Sequence, residues 1–241
     1  MLHAGVADSR MWEPQVDSFA EHFDVIRPDV RGFGQSPLPP EAWSPVEDLS
    51  ALVDDLSLEQ AHLVGCSMGG SIAIDFALEH PERVAKLVLV GAAIRGYRPR
   101  TEHMELFAEE RAAREAGDLE ALNRALMRML LDGPGRRSGY VAEPLRELFT
   151  RMNMPALRAD HSQSPRLYPE WLAVDRLGDI SAPTLMLVGD SDMPHVRDIA
   201  DLLTKSIPGA RKSVIHDAAH LPNLEHPDEF NRIVLDFLAR G

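Results

Sequence analysis

The stretch Gly65-Cys66-Ser67-Met68-Gly69-Gly70 decides the fold of this chain. It lies between an apolar segment, Ala61 to Val64, and an amphipathic one, Ser71 to Leu78, so it predicts a strand that turns sharply into a helix. Glycine stands two residues before and two residues after Ser67, as expected where a strand meets a helix and leaves little room for a Cβ atom. The additional Gly70 lets the helix begin close to the sheet.

This turn has a chemical use, because the pattern G-x-S-x-G is that of a nucleophile elbow. It lifts the Ser67 hydroxyl above the sheet and directs the free N–H groups of the helix N-terminus towards an oxygen bound there. A chance match in a loop containing Gly and Ser is the alternative. The flanking strand and helix favour the catalytic interpretation, so Ser67 is the predicted nucleophile.

Composition limits the classes of protein that this chain can represent. A length of 241 residues suits one α/β domain with an insertion, and 44% hydrophobic with 26% charged residues is ordinary for a globular protein. No apolar run approaches the ~18 residues of a membrane span. The net charge of −13 disfavours binding to nucleic acid or to anionic membranes. Met1 to Gly5 does not resemble a signal peptide and Cys66 is the one cysteine, which predicts a reducing cytoplasm.

Strand and helix signals alternate along most of the chain, which predicts a doubly wound, mostly parallel sheet. Residues 97–171 interrupt the alternation with helical stretches alone, so we expect a helical lid at 97–171 and an α/β core at 1–96 and 172–241. Strands are predicted at 25–26, 61–64, 84–90, 184–188 and 213–215, and helices at 10–22, 44–58, 102–116, 119–131, 143–154, 195–206 and 227–239.

Two local expectations concern the first third of the chain. The loop Asp29 to Ser36 is punctuated by glycine, and its Asp29 and Arg31 are expected to pair across the turn. The helix at 44–58 should bury one stripe of side chains. That stripe comprises Val46, Leu49, Leu52, Val53 and Leu56.

Acidic residues and a histidine follow the last two strands. With Ser67 on an elbow, Asp190 and Asp192 after one strand and His220 after the next, the chain resembles the α/β-hydrolase superfamily in the order Ser, Asp, His. The resemblance also covers 29–36, 182–185, 189–192 and 219–225. It implies that Asp192 is the catalytic acid and His220 the base, with Asp190 a turn residue and the fallback candidate. The other nine histidines are interpreted as surface or core residues.

The resemblance also implies an oxyanion hole made of two backbone N–H groups, those of Met68 and Gly5. The family usually has His-Gly-x in the first loop, whereas this chain has His3-Ala4-Gly5. Because the donor is backbone, Ala4 is tolerated provided that it avoids a positive φ.

Two further patterns do not predict a functional site. His216 and His220 have metal-ligand spacing only if both lie on one helix, and no Cys or carboxylate cluster completes a site, so no metal is expected. Cys66 is expected to be a buried packing residue.

The implied activity is that of a cofactor-independent serine hydrolase that cleaves a small carboxylic ester or lactone through an acyl-enzyme. Dehalogenases and epoxide hydrolases of this fold have Asp at the elbow, which argues against both. Esterases and 3-oxoadipate enol-lactonase-like members are the most similar. Carbon–carbon bond hydrolases of the β-diketone type, which usually have Asn where Cys66 stands, and ligand-binding members with little turnover remain alternatives. The expected partner is the small-molecule substrate, with neither nucleic acid nor membrane, and a homodimer is left open.

Two expectations concern the lid and the chain start. Met104, Phe107, Met127 and Leu130 are expected to line the acyl pocket, or else to form the lid's own core. Family members have a hairpin and a full strand before the oxyanion loop, so the resemblance implies that the N-terminal strands are missing here. We expect about 20 to 25 further residues encoded upstream, or Met1 to His3 pairing as a short remnant of that strand.

Overall fold

A parallel sheet of four strands forms the centre of the computed structural model, which describes residues 1–159, 162 and 164–239, without the side chains of Thr101, Glu102 and Leu106. The strands lie in the order β1, β2, β3, β4, and every neighbouring pair is parallel. All six residues of β3 are buried, as expected for a strand covered on both faces. The doubly wound α/β prediction is confirmed. The strands are β1 Ala61–Cys66, β2 Val84–Val90, β3 Thr184–Gly189 and β4 Arg211–Ile215.

Helices connect these strands, and some of them have a side-chain cap at the N-terminus. Ser44 accepts a hydrogen bond from the N–H of Glu47, and Asp118 accepts one from the N–H of Ala121. The α-helices are α1 Glu13–Ala20, α2 Pro45–Asp55, α3 Met68–Glu79, α4 Ala108–Glu115, α5 Leu119–Met127, α6 Glu143–Arg158, α7 Pro194–Ser206, α8 Pro222–Glu225 and α9 Pro227–Ala239. Short 3-10 segments are Ser9–Trp12, Pro81–Arg83, Thr101–Phe107, Ala173–Asp175 and Leu177–Asp179, and a π-helical turn covers Arg128–Asp132.

The strand predicted at residues 25–26 is wrong, because this segment is irregular. The Met1 ammonium donates a hydrogen bond to the Ile26 carbonyl at 2.6 Å. Leu2 forms an isolated parallel bridge with Gly65, and in the described part of the chain no strand ladder joins β1 to residues 25–26. A strand needs such a ladder of hydrogen bonds to persist. An apolar cavity of 220 Å³ lies beside this edge of the sheet.

The predicted pairing of Asp29 with Arg31 is also wrong. The Asp29 carboxylate accepts the N–H groups of Ser9 at 2.7 Å and Gln35 at 2.8 Å. Burial opposes the charged form of Asp29, but these N–H donors outweigh it and hold its pKa below the usual range. Arg31 instead pairs with Asp48 of α2 at 2.6 Å.

The buried stripe of α2 is confirmed in part. Val46, Leu49 and Val53 are buried, whereas Leu52 is half-buried and Leu56 is 41% exposed. The helix ends at Asp55, and Leu56 is its C-terminal cap residue, so its side chain lies at the end of the buried face.

Residues 101–158 contain the helices α4, α5 and α6, close to the predicted positions, with contacts between α4 and α5 and between α5 and α6. The division of the chain into a core and a lid stays a prediction. None of the described helices is both long and apolar enough to span a bilayer.

Candidate active site

Ser67 lies on the sharp turn between β1 and α3 and has φ 51° and ψ −109°. A positive φ is uncommon for a residue with a side chain and typically costs about 1–3 kcal/mol when the surroundings impose it. The surroundings here are backbone hydrogen bonds: the Ser67 N–H donates to Val90 at 2.9 Å, and its carbonyl accepts from Ser71 at 3.0 Å and Ala93 at 3.1 Å. The turn is therefore held by β2 and α3 together.

The glycines of this turn are needed for space. A Cβ at Gly70 would lie 2.6 Å from the Cβ of Ala92. Side chains at Gly65 and Gly69 would collide with the backbone of Gly69 and Leu2, respectively. Each position brings two backbones together, which explains the run of glycine around Ser67.

His220 and Asp192 form a buried pair. The His220 ring nitrogen Nδ1 lies 2.9 Å from Asp192 Oδ2 and 3.1 Å from Oδ1, and both side chains are at most 4% exposed. The N–H of Met193 donates to Asp192 at 2.7 Å, which orients the carboxylate. Burial disfavours the charged imidazole, but the charge and hydrogen bond of Asp192 outweigh it, so the pKa of His220 lies above its usual value.

Asp190 has other partners. It accepts the N–H of Asp217 at 2.9 Å and the hydroxyl of Ser191 at 3.1 Å, and it lies 3.0 Å from His216 Nδ1. The structure thus brings Asp192, not Asp190, to His220. His216 and His220 face different carboxylates, so their spacing does not create a shared ligand site.

Ser67 and His220 lie at the same edge of the sheet. The sulfur of Cys66 lies 3.9 Å from the His220 carbonyl oxygen, and a Cβ at Gly91 would be 3.1 Å from His220 Nδ1. Among the described residues no hydrogen bond joins the Ser67 hydroxyl to His220; catalytic hydrogen bonds of this kind often form only when substrate binds. Cys66 is fully buried, and burial raises the pKa of its thiol.

The two predicted oxyanion donors are neighbours. A Cβ at Gly5 would lie 3.5 Å from the Met68 Cβ. In the part of the chain that the structure describes, neither the Gly5 nor the Met68 N–H donates to another protein group. Met68 is the first residue of α3, where an N–H has no helical acceptor. Ala4 is not among the residues with positive φ, so the departure from the family motif is tolerated.

His3 has a role that the sequence reasoning missed. Its ring is fully buried; Nε2 accepts the N–H of Val30 at 3.0 Å, so Nδ1 carries the proton and donates to the Ala4 carbonyl at 2.8 Å. Burial lowers the pKa of His3, which favours this neutral form. The ring thereby fixes the backbone next to Gly5. Its place in the segment His3-Ala4-Gly5 was the available signal.

A cavity of 360 Å³ extends from the loop of Gly5 to α4, α5 and α6. None of the four predicted pocket residues lines it. Met127 and Leu130 are buried, Phe107 packs against His195, and Met104 is 40% exposed. The residues that line this cavity include Gly5, Val6, Phe33, Ala113, Leu122, Leu126, Asn153 and Leu157.

Comparison with known proteins identifies the family. The model of the alpha/beta hydrolase fold matches residues 1–227. A 2-hydroxy-6-oxononadienedioate/2-hydroxy-6-oxononatrienedioate hydrolase of Klebsiella pneumoniae is 32% identical, over 100% of this chain and 86% of the relative. The structure of carboxylesterase CesB (YbfK) from Bacillus subtilis is similar, with a TM-score of 0.75 and 26% identity over 100% of this chain and 82% of that one. The enol-lactonase from Burkholderia xenovorans LB400 has a TM-score of 0.75 and 26% identity over 99% and 90%. The chain therefore belongs to the α/β-hydrolase fold family.

Proposed function

We propose that this hydrolase cleaves a small carboxylic ester or lactone through an acyl-enzyme on Ser67. One observation carries the proposal: the buried His220–Asp192 pair, joined at 2.9 Å, lies at the sheet edge that presents Ser67 and two free N–H groups. This set of groups supplies a nucleophile, a base with an orienting carboxylate, and donors for an oxyanion.

The reaction follows from these roles. His220 accepts the proton of the Ser67 hydroxyl through Nε2 while the oxygen attacks the carbonyl carbon. The N–H groups of Met68 and Gly5 hold the negative charge that develops on the carbonyl oxygen. His220 then gives its proton to the departing alcohol, or to the released hydroxyl end of an opened lactone. Water, activated by the same His220, attacks the acyl-enzyme and releases the acid.

Asp192 supports both proton transfers. It accepts a hydrogen bond from Nδ1, which leaves Nε2 free to take the serine proton, and it stabilises the imidazolium that forms. Burial lowers the pKa of His220, but the charge and hydrogen bond of Asp192 outweigh burial and raise this pKa above its usual value.

The cavity and the relatives support a small substrate. The cavity of 360 Å³ reaches the site at Gly5, although neither Ser67 nor His220 lines it, and its volume lies at the lower end of the range for small-molecule sites, roughly 300–1,000 Å³. Most of its lining is apolar, as suits an acyl or alkyl group. The similar structures include a carboxylesterase and an enol-lactonase, both of which cleave such bonds.

Hydrolysis of a carbon–carbon bond is the second candidate, and Arg166 favours it. The guanidinium lies over the rings of Phe33 at 5.5 Å and Trp43 at 5.4 Å, and Nη1 is 3.4 Å from the sulfur of Met68. Within the described residues no carboxylate pairs with Arg166. A cation beside an oxyanion residue suits a substrate that carries a carboxylate, and the similar Klebsiella hydrolase is named for a dioate.

A substrate panel separates the candidates. Purified protein is assayed with p-nitrophenyl esters of increasing chain length, with simple lactones, and with a β-diketone acid as the carbon–carbon substrate. A fluorophosphonate label counts the reactive serines in the same preparation. We expect one label per chain and turnover of esters or lactones. Preferred turnover of the diketone acid would support the second candidate. Stoichiometric labelling without turnover of any class would contradict both and favour a binding role.

A further inference from the structure

The loop that carries His220 is attached to the turn that follows α5. The N–H of His220 donates to the carbonyl of Leu130 at 3.1 Å. Leu130 lies in the π-helical turn Arg128–Asp132, at a helix C-terminus where carbonyl groups lack helical donors. One hydrogen bond of the proposed base therefore belongs to the helical insertion rather than to the sheet.

Gly133 lets the same turn approach closely. It has φ +85°, and a Cβ there would lie 2.6 Å from the Ser191 carbonyl oxygen and 3.2 Å from the Ala219 Cβ. Ser191 precedes Asp192, and Ala219 precedes His220. The turn thus packs against both loops that supply the His–Asp pair.

A buried ion pair reinforces this contact. Glu225 Oε1 accepts the N–H of Ala219 at 2.7 Å, and Oε2 pairs with Arg136 Nη1 at 2.9 Å. The two side chains are only 5% and 7% exposed. Burial raises the pKa of Glu225 to about 7, against the opposing effects of Arg136 and the Ala219 N–H. The charge of Glu225 therefore depends on keeping Arg136 in place.

Arg136 holds the loop from a second side. Its Nη2 pairs with Asp217 at 3.1 Å, and its guanidinium lies 4.4 Å from the centre of the Tyr140 ring. The Tyr140 hydroxyl donates to Asp217 at 2.8 Å. Asp217 precedes His220 in the chain and Glu225 follows it. Because Arg136 contacts both, this one arginine restrains both ends of the loop that carries His220.

We propose that Arg136 and Glu225 are positioning residues for His220, through which the seating of the 128–140 segment controls catalysis. With the segment in place, Ala219 and His220 both have acceptors for their N–H groups, and the His220 ring stays on Asp192. If the segment lifts, the His220 N–H loses the Leu130 carbonyl, and Glu225, which accepts the Ala219 N–H, loses Arg136, so the base is less firmly held. This inference rests on the proposed role of His220 as the base.

Several charged and titratable groups surround Glu225. Glu225 is faced by Arg136 from the insertion, by His226 before α9 and by Tyr140, and its negative charge favours protonated His220. Removing that charge should lower the pKa of His220. The acidic limb of the kcat/KM profile should then move to lower pH.

Three variants test the inference. Arg136→Gln should lower kcat/KM about 10- to 100-fold, since a displacement of about 1 Å can cost roughly 100-fold, and Arg136→Lys should recover part of the loss. Glu225→Gln keeps an acceptor for Ala219 but removes the charge, so its acidic limb should shift to lower pH. Glu143→Gln is the matched control, because Glu143 is 75% exposed and its arginine partner lies 3.9 Å away.

Amide hydrogen exchange of the peptide containing Ala219 and His220 gives a readout that does not depend on turnover. It should be faster in Arg136→Gln than in the wild type and unchanged in Glu143→Gln. Unaltered exchange, kcat/KM and pH profile in both the Arg136 and Glu225 variants would overturn the inference, as would equal losses in Glu143→Gln. If the wild type labels at Ser67 but turns over no substrate, the proposed function fails, while the exchange result still tests the positioning contacts.

Discussion

The elbow and the His220 loop reach the same site by different means. Ser67 is held by backbone: three main-chain hydrogen bonds and glycines packed against neighbouring backbone. His220 is held by side chains and by a distant segment, through Asp192, Glu225, Arg136 and the Leu130 carbonyl. The proposed nucleophile is therefore held by the sheet, whereas the proposed base depends on how residues 128–140 pack. The following changes test that difference.

The largest effect is expected at the nucleophile. Ser67→Ala should lower ester turnover by about 10⁴-fold or more, because only the oxyanion donors and substrate binding remain. His220→Ala should be similar, since members of such a set act as one unit. The measurement is kcat on a p-nitrophenyl ester together with fluorophosphonate labelling. Ser71→Ala, on the same helix, is the control, and labelling retained in Ser67→Ala would refute the elbow assignment.

The acid is tested by two matched substitutions. Asp192→Asn should lower kcat on the order of 10⁴-fold, because an amide no longer favours the required tautomer of His220. Asp190→Asn should change kcat only a few-fold, since Asp190 contacts His216 and the N–H of Asp217 instead. A larger loss in Asp190→Asn than in Asp192→Asn would reverse the assignment.

Gly133 and Gly135 allow a test of the loop of His220, which side chains hold in place. Gly133→Ala introduces a Cβ at φ +85° and 2.6 Å from Ser191, so the free energy of unfolding should fall by about 2 kcal/mol or more. kcat/KM should fall about 10- to 100-fold as the loops are displaced. Gly135→Ala, where a Cβ would meet nothing within 4 Å, should leave both quantities unchanged. Urea unfolding and ester kinetics measure them, and equal behaviour of the two variants would contradict the close packing.

Arg166→Gln should act on specificity. If Arg166 meets a substrate carboxylate, KM for acidic substrates should rise about tenfold, as for loss of one charged hydrogen bond. KM for a neutral ester of the same length should stay nearly constant. A uniform change across both substrates would show that Arg166 supports the site rather than selects the substrate.

The smallest expected effect is the pH dependence of the wild type. His220 must be neutral to accept the serine proton, and Asp192 raises its pKa, so kcat/KM should be lost as the pH falls through a value above the usual histidine value of about 6.5. A profile of kcat/KM from pH 5 to 9 measures this. An acidic limb centred below the usual value would show that burial outweighs the carboxylate.

Most expectations drawn from neighbouring residues, or from motifs tied to one strand, agree with the structure. The turn at Ser67, the cap at Ser44 and most helix positions follow from local sterics and periodicity, because the groups involved are adjacent in the chain. The contact of Asp192 with His220 agrees with a family motif, since parallel strands bring their carboxyl ends to one edge.

The wrong predictions concern groups whose partners lie far away in the sequence. Residues 25–26 are apolar enough for a strand, yet a strand also needs a partner ladder, which periodicity cannot supply. Arg31 lies two residues from Asp29 but pairs with Asp48, because backbone N–H groups already occupy the Asp29 carboxylate. For Phe107 and Leu130, helical spacing left open whether they line a pocket or a core, and the packing shows that neither lines the 360 Å³ cavity.

The sequence by itself determined the elbow and the parallel α/β sheet, because these depend on residues close in the chain and on the geometry of parallel strands. The choice of Asp192 over Asp190 came from the family resemblance. Only the tertiary structure decided that His3 holds the backbone beside Gly5 and that Arg136 and Glu225 contact the loop of His220. These contacts join residues that are far apart in the chain, and a charged or polar side chain selects its partner by distance and burial, which no local pattern records.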